Sequence, residues 1–295
     1  MSMVINTNTM ANNVANNLSS AYGNLSTSTQ RLSSGLRINS AADDAAGLAI
    51  RELMRADITA LKQGVRNAND AISMIQTADG ALGIIDEKLI RMKELAEQAA
   101  TGTYDSTQRL MIESEYQAMA SEITRIANST DFNGIHLLNG NLSSSTHNGA
   151  QLTSTGKMKI HFGSGNDCAE DYYYVQIGTS TASALGVGSA AVGAKAATVS
   201  TQAAAQQALE GLNDAIVSKD KIRAHLGALQ NRLENTISNL NIQAENLQAS
   251  ESRISDVDVA SEMTNFVRNQ ILTQSAVAML SQANSMPQMA MRLIG

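Results

Sequence analysis

The chain has 295 residues, enough for one to three domains, and a formal net charge of −6. That acidic balance argues against nucleic acid as the main partner. Tryptophan is absent, phenylalanine occurs three times and Pro287 is the single proline, which excludes a bulky aromatic core and leaves few forced helix breaks.

Packing therefore falls to alanine, leucine, isoleucine and methionine, which suits long, thin helical bundles. Cys168 stands alone, so no intramolecular disulfide can form. No activating histidine is evident beside it, and the thiol reads as buried or incidental rather than catalytic. No apolar run approaches the ~18 residues of a membrane span, so membrane insertion is not expected. The opening MSMVINTNTM has neither a basic n-region nor an apolar h-region, and no cleavable signal peptide is expected.

Val4, Ala11, Leu18, Leu25 and Leu32 stand seven apart, with Ala15 and Tyr22 between them. This predicts a first helix with a weak heptad seam, ended by Ser33-Ser34-Gly35. Next comes RINSAADDAAGLAI, Arg37 to Ile50. Ser40 and Asp43 fit an S-x-x-D capping box, and Asp43 and Asp44 would sit where a helix dipole favours negative charge. The competing reading, an acidic metal site, lacks a nearby histidine or third carboxylate.

A helix to about Thr101 follows. Met54, Leu61, Ala68, Ile75, Leu82, Leu89 and Ala96 form one seven-residue row. Ile58, Val65 and Ile72 begin a second, which resumes one residue out of phase at Ile85, Met92 and Ala99. Gly80 and Gly83 lie at the slip, so a local irregularity is expected there. A helix of about sixty residues is roughly 90 Å long, more than a compact globule needs.

After a turn at Gly102-Thr103, Ile112, Tyr116, Met119, Ile123 and Ile126 predict a third helix, ended by the Asn-Gly turn signal of DFNG at Asp131 to Gly134. Residues 140–200 turn rich in Gly, Ser, Thr and Ala. Within them, Lys157 to Phe162 and Tyr172 to Ile177 read as a β-hairpin around a GSGNDCAED loop. Tyr172, Tyr173 and Tyr174 should place alternate rings on opposite faces.

Helical periodicity returns after Thr201. Leu226, Leu233, Leu240 and Leu247 occupy four heptad positions, with Ile222 and Leu229 alongside. A last helix after Ser255-Asp256 carries Met263, Val267, Ile271, Val277 and Leu280, and should fray near Pro287. The fold class is thus mainly α: a long antiparallel coiled-coil or helical bundle with a small β-hairpin insertion.

Signs of catalysis are missing. No G-x-x-x-x-G-K-[ST] loop occurs, and Gly186, Gly188 and Gly193 do not fit G-x-G-x-x-G. His136, His147, His161 and His225 are scattered; His161 with Asp167, Cys168, Glu170 and Asp171 matches no zinc spacing and reads as a solvated acidic loop. Paired Glu-x-x-His motifs of a di-iron bundle are absent. No enzyme activity and no cofactor is expected.

RINSAADDAAGLAI resembles a signature of bacterial flagellin, the subunit of the flagellar filament. NTNTMANNVANNL, LSSGLRINSA, IQTADGALGIID, KELAEQAATGTY, DFNGIHLLNG and ILTQSAVAMLSQANSMPQMAMRLIG are similar to flagellin blocks in the flagellin order. They span roughly the first 140 and last 95 residues; the short middle corresponds to the family's variable region.

The resemblance implies a terminal coiled-coil filament-core domain from residues 1–40 and 255–295, seamed by Leu18, Leu25 and Leu32. It implies a helical bundle domain from 41–139 and 201–254, and a surface insertion over 140–200. It further implies self-polymerisation, unfolded export through the flagellar type III channel, and partners among filament-cap and hook-associated proteins. Val277, Leu280, Met286, Met289, Leu293 and Ile294 would contact an export chaperone, the filament core, or both. Arg91, Leu95 and Glu115 match the family's contact pattern for a host Toll-like receptor. Arg91 and Leu95 lie off the Leu89–Met92–Ala96 seam, so an exposed face is expected, as receptor contact or as a solvated surface with one stray leucine. A hook–filament junction protein is the alternative. Both terminal seams look too thin to hold themselves together without neighbouring copies.

Overall fold

The computed structural model describes residues 8–148, 155–167, 170–189, 191 and 193–294. Its elements run α1 (Thr9–Ser34), α2 (Ala45–Ala100), α3 (Ser106–Ser129), β1 (Asp131–Phe132), β2 (Ile135–His136), β3 (His147–Asn148), β4 (Thr155–Gly156), β5 (Met158–His161), β6 (Tyr172–Val175), α4 (Ala182–Leu185), α5 (Gln202–Ser255) and α6 (Val259–Ile294). The expected mainly helical bundle with a small β insertion is what forms. It divides into two compact units, residues 1–58 with 245–295, and residues 59–244.

In the first unit α1 packs along α6. Asn8 caps α1, its Oδ1 accepting the N–H of Ala11 at 3.0 Å. Gly35 closes the helix in the left-handed region, φ 72°, as the Ser-Ser-Gly signal predicts. Ala11, Leu18, Leu25 and Leu32 are half-buried, as the first heptad row requires. The second row differs from expectation. It is Val14, Ala21 and Ser28, while Ala15 and Tyr22 are exposed. Ala21 and Ser28, the buried members, are the small side chains that close helix approach selects.

The connections on either side of the pair are tied together. Arg37 N–H donates to the Ser255 carbonyl at 2.7 Å and Val257 N–H to that of Gly35 at 3.0 Å, with Leu36 and Asp256 bridged antiparallel. Asp44, not Ser40, caps α2: its Oδ1 accepts the N–H of Gly47 at 2.9 Å. Asp43 closes the preceding turn, its Oδ2 accepting the N–H groups of Asn39 and Ser40 and the Ser40 hydroxyl. The N–H of Ser40, then that of Asn39, holds the Asp43 carboxyl below its ordinary range. The adjacent aspartates thus start the helix with separate tasks.

The second unit holds nearly all the buried apolar residues. α2 is continuous, and the expected irregularity at Gly80 and Gly83 is absent. Its second row is Gly64, Ala71, Ala78, Ile85, Met92 and Ala99, in phase throughout. The slip arose from assigning that row to Val65 and Ile72, the larger neighbours. α3 starts with a capping box of Asp105 and Gln108 and buries Ile112, Tyr116, Ala120, Ile123, Ile126 and Ala127; Met119 is half-buried. α5 buries Leu226, Leu229, Leu233 and Leu240, with Ile222 and Leu247 partly covered.

Asn133 and Gly134, both at positive φ (52° and 78°), form a two-residue turn between β1 and β2. β3 and β4 make a second short ladder that the sequence pattern did not reveal. The predicted hairpin forms as β5 against β6, pairing Met158 with Val175 and His161 with Tyr172. Its rings alternate as expected. Tyr173 meets Phe162 edge-on at 4.6 Å and lies under the Arg232 guanidinium at 3.6 Å. Tyr172 and Tyr174 sit beneath Lys159 and Lys157 at 3.6 and 4.1 Å. Ser189, Ala196 and Ala197 are pinned to α3. The Tyr116 hydroxyl donates to the Ala196 carbonyl at 2.7 Å, and Gln117 bonds Ser189 and Ala197.

Gly64 is where α2 meets the end of β5: a Cβ there would collide with the Phe162 carbonyl. Gly80 faces open space. Gly64→Ala should therefore destabilise the chain by about 1–3 kcal/mol. Gly80→Ala should stabilise it by about 0.5–1 kcal/mol, because glycine in a helix interior carries an entropy cost. Urea unfolding of the two variants measures both signs.

Candidate functional site

The first surface is the outer side of the α1–α6 pair. The covered side of α6 carries Glu262, Phe266, Asn269, Thr273, Ala276, Leu280 and Ala283, at three- and four-residue spacing. Most of these are small or polar. Apart from Phe266 and Leu280, most of the large apolar residues lie on the other side: Val259, Met263, Val267 and Ile271 are exposed, as are Leu272, Val277 and Met279. Of the apolar residues expected to seam this helix, only Leu280 faces the covered side. Among the described residues of this unit, Ala21, Ile38, Ile58 and Ala283 are the buried apolar ones. Ser28, Arg51, Ser255, Glu262 and Thr273 are buried beside them. This is not a core that accounts for its own helices.

The C-terminal candidates occupy different sides. Val277 and Met289 are exposed, whereas Leu280 and Met286 are half-buried. The side chains of Leu293 and Ile294 lie outside the described residues, as does Val4. α6 does not fray at Pro287 but continues through it.

The second surface joins α2 to α3. Arg91 Nη2 donates to Glu115 Oε1 at 2.8 Å, and Nη1 to Glu94 Oε2 at 2.9 Å. All three side chains are about half exposed. The Arg91 hydrogen bond to the Glu115 carboxylate, then that to Glu94, holds the guanidinium above its ordinary value. Leu95 is not on this surface. It is 2% exposed and belongs to the core with Leu89, Met92, Ala96 and Ile112. The exposure inferred for it presumed a narrow two-helix seam. Here α2 is covered by several elements and buries a wider stripe.

Two ion pairs set the register of α2 against α5. Arg223 Nε meets Asp79 Oδ1 at 2.7 Å, and Lys219 Nζ meets Asp86 Oδ1 at 2.6 Å and Asp220 Oδ1 at 2.7 Å. Ascending α2 while descending α5, they fix an antiparallel pairing. Lys219 is 1% exposed. Sequence reasoning missed it, although the row Leu226–Leu233–Leu240 extends backward by sevens onto Lys219 and Leu212. A charge at a seam position is a recognised register device.

Among the described residues, no group of three or more His, Cys, Asp or Glu side chains is placed to hold a metal ion. Cys168 lies outside them. Asp171 instead organises its loop, accepting the N–H groups of Asp167 at 2.7 Å and Gly165 at 3.2 Å, which hold its carboxyl below the ordinary range. No helix among the described residues is long and apolar enough to cross a membrane.

Residues 5–143 match the bacterial flagellin N-terminal helical region, and residues 209–294 match the bacterial flagellin C-terminal helical region. The chain belongs to the bacterial flagellin family. The flagellar filament 33 kDa core protein of Treponema phagedenis is 42% identical over 293 residues, covering 99% of this chain and 100% of that protein. Flagellin of Bacillus subtilis (strain 168) is 42% identical over 309 residues, with 99% and 100% covered. A putative flagellar hook-associated protein from Vibrio parahaemolyticus shares the fold, with a TM-score of 0.56 at 13% identity, over 72% of this chain and 100% of that one. Membership in the flagellin family gives the chain a structural role in the flagellar filament, and the outward apolar residues of α6 belong to a subunit that assembles with its own kind.

The two residue classes on α2 should part under mutation. Leu95→Ala should cost about 2–5 kcal/mol, as for a buried leucine. Arg91→Ala, an exposed pair, should change stability by less than about 1 kcal/mol. Thermal melting followed by circular dichroism distinguishes them.

Proposed function

We propose that the chain polymerises by burying the outer side of α6, with Val259, Met263, Val267 and Ile271 at its centre, against the terminal helices of neighbouring copies. The observation carrying this reading is that these side chains are exposed in a unit with almost no apolar core of its own. Head-to-tail contacts between identical chains, where their rotation does not close a ring, propagate as a helical filament. Residues 1–40 and 255–295, with the Leu18, Leu25 and Leu32 row, form the filament core in this reading. Residues 41–139 and 201–254 form the bundle around it, and 140–200 the outward insertion. Before assembly the terminal helices are loosely held, because the entropy of ordering them is offset only when neighbours cover their faces.

A chain of this kind suits export in unfolded form through the flagellar type III channel. An export chaperone would hold the C-terminal segment, on Val277, Leu280, Met286, Met289, Leu293 and Ile294, and release it to the growing end beneath the filament cap. At the base the first copies would meet hook-associated proteins. The filament role is preferred to that of a hook–filament junction protein. Flagellins match this chain at about 40% identity over its whole length, whereas the hook-associated structure shares 13%.

Seeded elongation tests the reading. Val267→Ser combined with Ile271→Ser should leave unfolding of the bundle unchanged and stop elongation from added filament seeds, scored by sedimentation and negative-stain images. A chain lacking about 35 residues at each end should behave likewise. Normal filaments from either would refute the proposal.

A second reading concerns host recognition, and the exposed Arg91–Glu115 pair spanning two helices favours it. A Toll-like receptor would engage Arg91 and Glu115 on unassembled subunits, with Leu95 shaping the surface from beneath. Arg91→Ala with Glu115→Ala should cut receptor signalling by monomers at least about tenfold, the scale of losing a charged hot spot. Unchanged signalling from a normally melting double variant would remove this assignment.

A further inference from the structure

Pro287 is the single proline of the chain and stands inside α6. A proline has no N–H, so the carbonyl four residues earlier, that of Ala283, loses its regular helical donor. A carbonyl freed inside a helix is normally re-satisfied by another group. Here that group comes from the other end of the chain. Asn8 Nδ2 donates to the Ala283 carbonyl at 2.8 Å. The same side chain caps α1 through Oδ1, which accepts the N–H of Ala11 at 3.0 Å. One amide therefore starts α1 and fills the gap that Pro287 opens in α6.

We infer that Asn8 and Pro287 form a register lock, in which the proline creates an acceptor on α6 and the asparagine reads it. The lock is directional: along α6 only the Ala283 carbonyl lies four residues before a proline. On the α6 side the seam does little to fix the register, since its residues there are small or polar apart from Phe266 and Leu280. A second tie, the Arg31–Glu262 ion pair at 3.8 Å, lies near the opposite end. From Asn8 to Arg31 is about 34 Å along α1, and from Ala283 to Glu262 about 32 Å along α6. The two ties are satisfied together in one register. Sliding α1 by a turn would leave the Asn8 amide facing carbonyls that already have helical donors.

The consequence rests on the assembly reading above. The register of α1 on α6 sets which exposed residues stand side by side on the outer surface of the pair. Asn8 and Pro287 are then positioning residues for polymerisation, although neither belongs to the apolar face that a neighbour covers.

Asn8→Asp is the informative variant, because it keeps the capping oxygen and replaces the donor with an acceptor. Pro287→Ala restores the missing N–H at residue 287. Two measurements on the full chain apply. One is the monomer concentration in equilibrium with seeded filaments. The other is the trimethylamine N-oxide concentration at half-maximal gain of helicity in unseeded chain, which reads the pairing without polymerisation. Asn8→Asp should raise the residual monomer roughly two- to tenfold, the range for one net hydrogen bond, and raise the osmolyte midpoint. In a Pro287→Ala background the same change should have a much smaller effect on both. Wild-type values for Asn8→Asp, or effects that simply multiply in the double variant, would overturn the lock. If the unaltered chain fails to elongate from seeds, the assembly reading fails while the osmolyte midpoints still judge the lock.

Discussion

The arrangement of the terminal unit turns on a division of labour between the two sides of α6. Its inward side is built from alanine, threonine, asparagine and a buried glutamate around Phe266 and Leu280; its outward side holds Val259, Met263, Val267, Ile271, Leu272, Val277 and Met279. Apolar surface is what folding removes from water most profitably, at about 25 cal/mol per Å². A helix pair that places its best apolar side chains outward has left most of that gain for a later step. In the proposed assembly the intramolecular seam uses specific polar ties, which set geometry, and the contact between copies takes the apolar area, which supplies affinity. This is the opposite of a self-sufficient coiled coil, where the apolar row faces the partner helix.

The other unit follows the ordinary rule. α2, α3 and α5 bury continuous apolar rows, and polar groups specify what the rows leave open. Asp79–Arg223 and Asp86–Lys219 fix the antiparallel register, and Tyr116 and Gln117 hold Ala196 and Ala197 against α3. Such charges contribute less to stability than to the choice of one alignment over its neighbours. In the proposed assembly the subunit carries a stable body and termini that gain their order from neighbouring copies.

Much of this was legible in the residues because seven-residue spacing of leucine and isoleucine is an unambiguous helical signal. The helices, their order, the β5–β6 hairpin and the alternation of the three tyrosines all followed from period and turn chemistry. What escaped was carried by small residues. Gly64, Ala71 and Ala78 complete the second row of α2, and Val14, Ala21 and Ser28 that of α1, yet a count of large apolar side chains passes over them. Large side chains mislead on α6 as well, where Met263, Val267 and Ile271 face outward, and the buried stripe of α2 is wide enough to take in Leu95. How wide a stripe a helix buries depends on how many neighbours it has, and one helix's sequence does not state that number. Asn8 and Pro287 were individually visible, but their meeting is long-range and follows from no local pattern.

The sealed ammonium of Lys219 has a practical corollary. Its Nζ is held by the Asp86 and Asp220 carboxylates and its side chain is 1% exposed, so an acylating reagent that modifies solvent-facing amines will skip this one while the bundle is intact. Its appearance in a labelling map would mark opening of the helix pair, making one native lysine a built-in gauge of integrity for subunits in any state of assembly.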